Sequence, residues 1–237
     1  MSIIFPEGIT FKLKYLSIYD TDPDLIPPSL AYAFVNQYRT VFDGHIDTSN
    51  VTDVSFLFQN CSSLAKIPMM NFSSVSNMRS AFHSCSSLIS VPQLDTSNVT
   101  DFYSCFYGCY TLVSIPQLNT SKANNVGLMF NGCTSLTSIP LLDFGNVNNI
   151  SNMFGYSDIK TLTDLGGFKN LKVDFKNGLN RLPNLTVQSL MNVINNLYDF
   201  RANGETTTRT LQLGTTNLNK LTDEQKAVAT NKGWSLT

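Results

Sequence analysis

The sequence predicts an α/β repeat solenoid of 24-residue helix and short-strand units, with degenerate caps at both ends. Three columns of residues predict it. Phe34, Phe58, Phe82, Phe106, Phe130 and Phe154 return at one step of 24; Cys61, Cys85, Cys109 and Cys133 keep that step, and so do Pro68, Pro92, Pro116 and Pro140. One period shared by three residue types marks a stacked array, in which no unit buries its apolar side alone and each covers its neighbour.

The unit is clearest over residues 96–119, TSNVTDFYSCFYGCYTLVSIPQLN. Val99, Phe102, Phe106 and Cys109 stand at i, i+3, i+7 and i+10, which reads as one apolar face of a helix of about three turns. Asn98 precedes it as an N-cap, and Asp101 falls where a carboxylate suits the positive end of the helix dipole. The same start recurs at Asn50, Ser74 and Asn146, whereas Lys122 holds the cap position of the fourth unit and predicts weaker capping there. A segment of pattern L-x-x-[IV]-P-x-[LM] follows, as in Leu112 to Leu118. It reads as a short strand closed by proline, which lacks an N–H and belongs at a strand edge. Stacking turns Val51, Val75, Val99, Ala123 and Val147 into one core column, and Val54, Met78, Phe102, Val126 and Ile150 into another. The phenylalanines become an aromatic spine.

The array frays at its ends, as capping repeats do. Leu30 and Phe34 mark a degenerate first unit over residues 24–47. Past Phe154, Ser157 takes the cysteine position, and Ile159, Leu162 and Leu165 fit after a one-residue deletion. The expected organisation is an N-terminal segment and capping repeat over 1–46, the repeat array over 47–166, and a C-terminal cap over 167–237 with two helices and short strands. Thr186 caps the first of these helices, carrying Leu190, Val193, Ile194 and Leu197. Thr222 and Gln225 form a capping box for the second, which Gly233 ends. Strands are expected at Thr210–Leu213 and Trp234–Leu236, with Trp234 packing on the last repeat.

Composition narrows function. Charged residues are 14% of the chain, against about 25% in an ordinary domain. The net charge is -1 and no basic run occurs, which argues against nucleic acid and anionic lipid as partners. A surface of Ser, Thr, Asn and Gln suits neutral polar partners, such as sugars or protein surfaces. No apolar run approaches the roughly 18 residues of a membrane span. The start, MSIIFPEGITFKLKY, lacks a basic stretch followed by a long apolar one, so no secretory signal is expected. The cysteine column reads as small buried thiols rather than a disulfide framework.

Catalytic constellations are weak. The only histidines are His45 and His83. His83 and Cys85, at i and i+2 of a helix, would face different sides. Cys105 and Cys109 could meet at i and i+4, but no CxxC pair or histidine completes a tetrahedral metal site. No enzyme, cofactor or metal is expected. Asn50-Val-Thr, Asn98-Val-Thr and Asn149-Ile-Ser fit the glycosylation pattern, yet these asparagines fall where the repeat needs caps. The outer face offers more. Tyr103 and Tyr107 lie beside Arg79 and His83 of the preceding unit, forming one patch of residue types favoured in binding hot spots, with aromatic faces suited to sugar rings or partner side chains. Lys66, beside Ser90, Ser114 and Ser138 in another column, is a second ligand-binding candidate.

The string TSNVTDxxxxFxxCxSLxSIPxL, read from Thr48–Met70 and Thr96–Leu118, resembles the BspA-like leucine-rich-repeat surface proteins found in gut bacteria and their phages. The tail LTDEQKAVATNKGWSLT is similar to the ending of many repeat proteins from the same sources. The resemblance implies a leucine-rich-repeat solenoid used for adhesion or recognition, and it carries no catalytic residues. With a plain methionine start, it implies a phage virion protein of the tail or fibre, involved in host-surface attachment. The alternative is a bacterial cell-surface or secreted adhesin that binds a host protein or glycan. Expected partners are protein or glycan on a cell surface, or other virion proteins; membrane insertion is not expected, and a homo-oligomer is compatible. Replacing the central spine residue, Phe106→Ala, should cost about 3–5 kcal/mol in a chemical melt, and a loss below about 1 kcal/mol would contradict stacking.

Overall fold

A computed structural model describes residues 2–4, 10–12, 28–36, 45–46, 48–67, 69–155 and 159–237. Pro68, Ser157, the expected start of the first unit and the expected boundary at Asp47 lie outside the described residues. The strands are β1 (Ser2–Ile4), β2 (Thr10–Lys12), β3 (His45–Ile46), β4 (Met69–Met70), β5 (Ser138–Ile139), β6 (Leu142–Asp143), β7 (Asp164–Leu165), β8 (Phe168–Lys169), β9 (Arg209–Leu211) and β10 (Trp234–Leu236). The helices are α1 (Val187–Asn196), α2 (Gly214–Leu218) and α3 (Asp223–Asn231). β1 and β2 pair antiparallel; the other pairs, β3 with β4, β5 with β7, β6 with β8 and β9 with β10, are parallel.

Stacking at the 24-residue step is visible in the backbone. Parallel bridges join Ser29 to Asp53, then Asn77, Asp101, Asn125 and Asn149 in succession. The phenylalanine rings from Phe34 to Phe154 lie nearly parallel, with centroids 5.3, 5.8, 5.5, 5.9 and 6.1 Å apart. All six are buried, as are both aliphatic columns. Such offset pairs add roughly 0.5–1.5 kcal/mol each beyond burial alone. The last ring then meets Phe168 and Phe175 at a tilt, carrying the apolar core into the C-terminal region.

The units are not helical, which corrects the sequence expectation. Tyr32, Phe56, Ser80, Ser104, Leu128 and Asn152 all have positive φ, and so do Asn36, Asn60, Ser84, Gly108 and Gly132 four residues further on in their units. An α-helix cannot pass through left-handed residues. The amides divide their partners instead. The N–H groups of Val54, Phe56, Phe58 and Asn60 donate to the carbonyls of Asn77, Arg79, Ala81 and His83 in the next unit, while those of Leu57, Gln59 and Cys61 donate three residues back to Val54, Phe56 and Phe58. Successive three-residue turns place inward side chains three or four apart, the same spacing as a helix face. The 24-residue step joins the units up to Asn149, but the backbone within them is a run of turns. Beyond it Ile139 pairs with Leu165 and Leu142 with Phe168, two residues longer than the period instead of the expected one-residue deletion.

The polar residues at the unit start take different roles as well. Asp101 Oδ1 accepts from the N–H of Tyr103, two residues on, at 2.8 Å. Asp53, Asn77, Asn125 and Asn149 do the same in their units. Asn98 caps no helix: its Nδ2 donates to the Ser73 carbonyl of the preceding unit, and Lys122 Nζ donates to its Oδ1.

Among the described residues, paired strands within the array occur only towards its ends. In the middle, Pro92 and Pro116 bring no amide hydrogen, and side chains supply the missing donors. Gln93 Nε2 donates to the Gln117 carbonyl, and Gln117 Nε2 to the Leu141 carbonyl, each at 2.7 Å. All five cysteines are buried thiols. Cys61, Cys85, Cys109 and Cys133 donate their S–H to the carbonyls of Phe34, Phe58, Phe82 and Phe106, at 2.9–3.1 Å. The column is a set of small donors aimed at the spine's backbone.

True helices begin after the array. Thr186 caps α1 by accepting from the N–H of Ser189, and Thr222 and Gln225 form the full capping box of α3. The short helix α2 was not anticipated, because GTTNL lacks an apolar period. Trp234 is buried, but its close neighbours are Tyr198 and Phe200: Nε1 donates to the Tyr198 carbonyl, and the ring lies 5.7 Å from that of Phe200.

Gly108 tests the left-handed rung directly. Its φ is +68, and a Cβ there would stand 3.3 Å from the movable Ser84 Oγ and in ordinary contact with the Ser84 backbone, at 3.6 Å. Gly108→Val should destabilise by about 2 kcal/mol or more, since a β-branched residue is ill suited to this conformation. Gly108→Asn should stay within about 1 kcal/mol, because asparagine tolerates it, as Asn36 and Asn60 do on the same rung. Urea melts of the two variants check both values.

Candidate functional site

Four of the five expected site residues come together. Asp101 organises the first pair: Oδ1 fixes the Tyr103 turn, and Oδ2 lies 3.7 Å from Arg79 Nη1 of the preceding unit. The Arg79 guanidinium then sits 4.2 Å over the Tyr103 ring. On its other side the ring approaches Gly127, where an added Cβ would stand 3.2 Å from Tyr103 Cδ2. One face of Tyr103 is thus covered by Arg79, and a part of its ring edge lies against Gly127. Tyr103 stays half-buried, beside a guanidinium side chain that keeps 41% of its surface exposed.

The second pair is a stack of His83 on Tyr107, 4.6 Å between centroids and 3° from parallel. His83 Nδ1 lies 3.0 Å from Ser84 Oγ. Burial of the imidazole pushes its pKa below the ordinary 6.5, and a backbone hydrogen bond opposes this in part. The ring is therefore neutral at pH 7. Together the two pairs form a half-buried ridge of two phenols, one imidazole and one guanidinium balanced by Asp101. Lys66 is exposed, and among the described residues no hydrogen bond, ion pair or ring contact joins it to the other four.

The thiol beside this ridge is poorly placed for chemistry. Cys85 points inward to the Phe58 carbonyl, while His83 stacks outward on Tyr107. Burial pushes the thiols of Cys85, Cys105, Cys109 and Cys133 far above the ordinary range, which leaves them protonated and poorly nucleophilic. Among the described residues no cluster of three His, Cys, Asp or Glu could hold a metal ion, and no helix is long and apolar enough to cross a membrane.

A second feature escaped sequence reasoning. An open groove of about 670 Å³ crosses four successive units, its walls including Gln93, Asp95, Gln117, Asn119, Asp143 and Lys169. Asp143 pairs with Lys169 at 3.8 Å. Hydrogen bonds from the side chain and backbone of Ser97 hold the Asp95 carboxyl below its usual range. The signal was present in two columns: glutamine follows proline at 93 and 117, and Asn71, Asp95, Asn119 and Asp143 share one step of 24. Each Asn or Asp in that second column also accepts from the backbone N–H two residues on, so their turn-forming role hides the surface they share.

Ridge and groove both fall within the span of a family match. The model described as "Mycoplasma protein of unknown function, DUF285" matches residues 29–139 and 87–173, together more than half of the chain. The chain belongs to the DUF285 family. The DUF285 matches begin at the first bridged residue, Ser29, and run past β8, leaving α1 to α3 outside. This DUF285 chain also aligns with a solved structure, "Crystal structure of T. pallidum Leucine Rich Repeat protein (TpLRR)". The identity is 18% and the TM-score 0.47, over 92% of this chain and 94% of that one. No curated protein matches the chain.

The His83 shift has a pH signature. Because its folded pKa lies below the unfolded 6.5, the unfolded state takes up the proton first as pH falls. The stability contributed by the neutral ring is complete above that value and is lost as pH drops through it. Urea midpoints at about pH 7.5 and about pH 5.5 should differ in the unmodified protein, and the difference should shrink in His83→Gln.

Proposed function

We propose that this chain is a non-enzymatic recognition module that binds a protein or glycan through the outer face of its solenoid. The observation that carries the reading is the assembled ridge of Arg79, His83, Tyr103 and Tyr107, with Lys66 as an outlying contact. Arginine and tyrosine held in fixed geometry, with little net charge around them, are the residue types that dominate binding hot spots. A repeat family supports the same reading, since stacked units build long surfaces rather than pockets for chemistry.

The sequence resemblance to BspA-like leucine-rich-repeat proteins extends this to adhesion. On that reading the chain works at a surface, either as a phage virion protein that attaches to a host or as a bacterial cell-surface adhesin. The family match supports binding or adhesion and favours neither setting. Antibody labelling of phage particles and of intact cells separates them: label on particles places the chain in a virion, and label on cells alone places it in an adhesin.

The ridge itself is tested by binding of the full chain to cell-surface protein and glycan arrays. Tyr103→Ala combined with Tyr107→Ala should weaken every ligand detected through the ridge by about tenfold or more, the loss typical of hot-spot residues. Unchanged binding of all detected ligands would overturn the assignment.

A further inference from the structure

We propose that the groove across Gln93, Asp95, Gln117, Asn119, Asp143 and Lys169 is a second binding site, for an extended neutral polyhydroxylated chain, that is, a linear glycan. It shares with the ridge the reading of the chain as a recognition module, but rests on different residues.

The donor and acceptor inventory comes first. Both glutamines spend their amide hydrogens on the protein: Gln93 Nε2 on the carbonyls of Leu94 and Gln117, and Gln117 Nε2 on those of Leu118 and Leu141. Among the described residues, neither glutamine Oε1 accepts a hydrogen bond. An amide oxygen has two acceptor sites, so these side chains are fixed by their nitrogens and offer their oxygens. Asn119 is held in the reverse sense. Its Oδ1 accepts from the N–H and Oγ of Ser121, leaving Nδ2 as donor. The wall thus carries two preset amide acceptors and a donor beside the exposed Leu141 side chain, which matches a sugar's hydroxyl groups, which both give and receive, and its C–H faces.

Charge and spacing then choose among ligands. Asp143 is already paired with Lys169, so among the described residues Asp95 is the one carboxylate in the set without an ion-pair partner, and the wall is chiefly neutral. That favours a neutral ligand over a strongly cationic one. The groove also repeats. Gln93 and Gln117 present the same group one unit apart, as do Asp95, Asn119 and Asp143. Equivalent rings of the units that carry it lie 5.5 and 5.9 Å apart, close to the length of one sugar residue in a linear chain. A ligand with that repeat meets equivalent groups at each step. The open volume of about 670 Å³ is of the size that holds a ligand of several rings.

The test is calorimetric titration of the full chain with linear neutral oligomers of glucose, galactose, mannose and N-acetylglucosamine, from disaccharide to hexasaccharide, with hexalysine as the cationic alternative. At least one series should bind, with affinity rising by about tenfold or more from disaccharide to tetrasaccharide as further rungs engage. Ser121→Trp, at an exposed position in the groove wall, should reduce that binding about tenfold or more with the melting midpoint unchanged. Tyr103→Ala with Tyr107→Ala should leave it within about twofold, which separates failure of the groove from failure of the ridge. Absence of binding across all series, affinity independent of length, or indifference to Ser121→Trp would overturn the proposal. So would binding of hexalysine alone, abolished by Asp95→Asn, which would make the groove a cationic-peptide site.

Discussion

The backbone of this protein is organised by how its amides are shared. In the outer segments from Leu30 to Phe130 every second N–H donates to the following unit, and most of the intervening ones close turns of three residues. A helix would satisfy all of them internally and leave only side chains to hold units together. Here the units are joined by main chain, so no unit can be pulled off the stack without orphaning donors and acceptors in its neighbours, and each orphan costs about 1–3 kcal/mol when buried. The alternation needs two left-handed residues per unit, and the sequence meets that need largely with Asn, Ser and Gly. Phe56 and Leu128 hold the same conformation without their help, which shows that the interunit bonds and packing outweigh a local penalty of about 1–2 kcal/mol.

Side chains complete what the backbone begins. Thr96 and Thr120 are buried and donate their hydroxyls to the carbonyls of Asn119 and Asp143 in the next unit. At the equivalent positions, Phe72 and Phe144 fill the space instead, and Phe144 stacks on Phe168. The cysteine thiols do similar work one layer in, and the glutamine amides do it where proline has removed a donor. The repeat is therefore conserved as a set of bonds between units more than as a set of elements within them.

This explains what the sequence disclosed and what it withheld. The columns of Phe, Val and Cys were legible because burial selects residue type at a fixed step. The helix reading failed because turns of three residues and an α-helix leave nearly the same apolar spacing; the discriminating signal was the column Asn36, Asn60, Ser84, Gly108 and Gly132, all residue types that tolerate a left-handed backbone. The ridge could be read from Tyr103, Tyr107, Arg79 and His83 because side chains one period apart are neighbours. That Arg79 would lie against Tyr103 could also have been inferred, since Tyr103 follows it by one step. The groove was hidden because Asp95, Asn119 and Asp143 each have a sufficient local role in a turn, and only their alignment reveals a common surface.

The ladder of bridges from Ser29 to Asn149 makes the solenoid a ruler. Each added or lost block of 24 residues changes its reach by one rung and keeps the columns in register. Related chains can thus alter how far they extend by simple duplication, without inventing a new core.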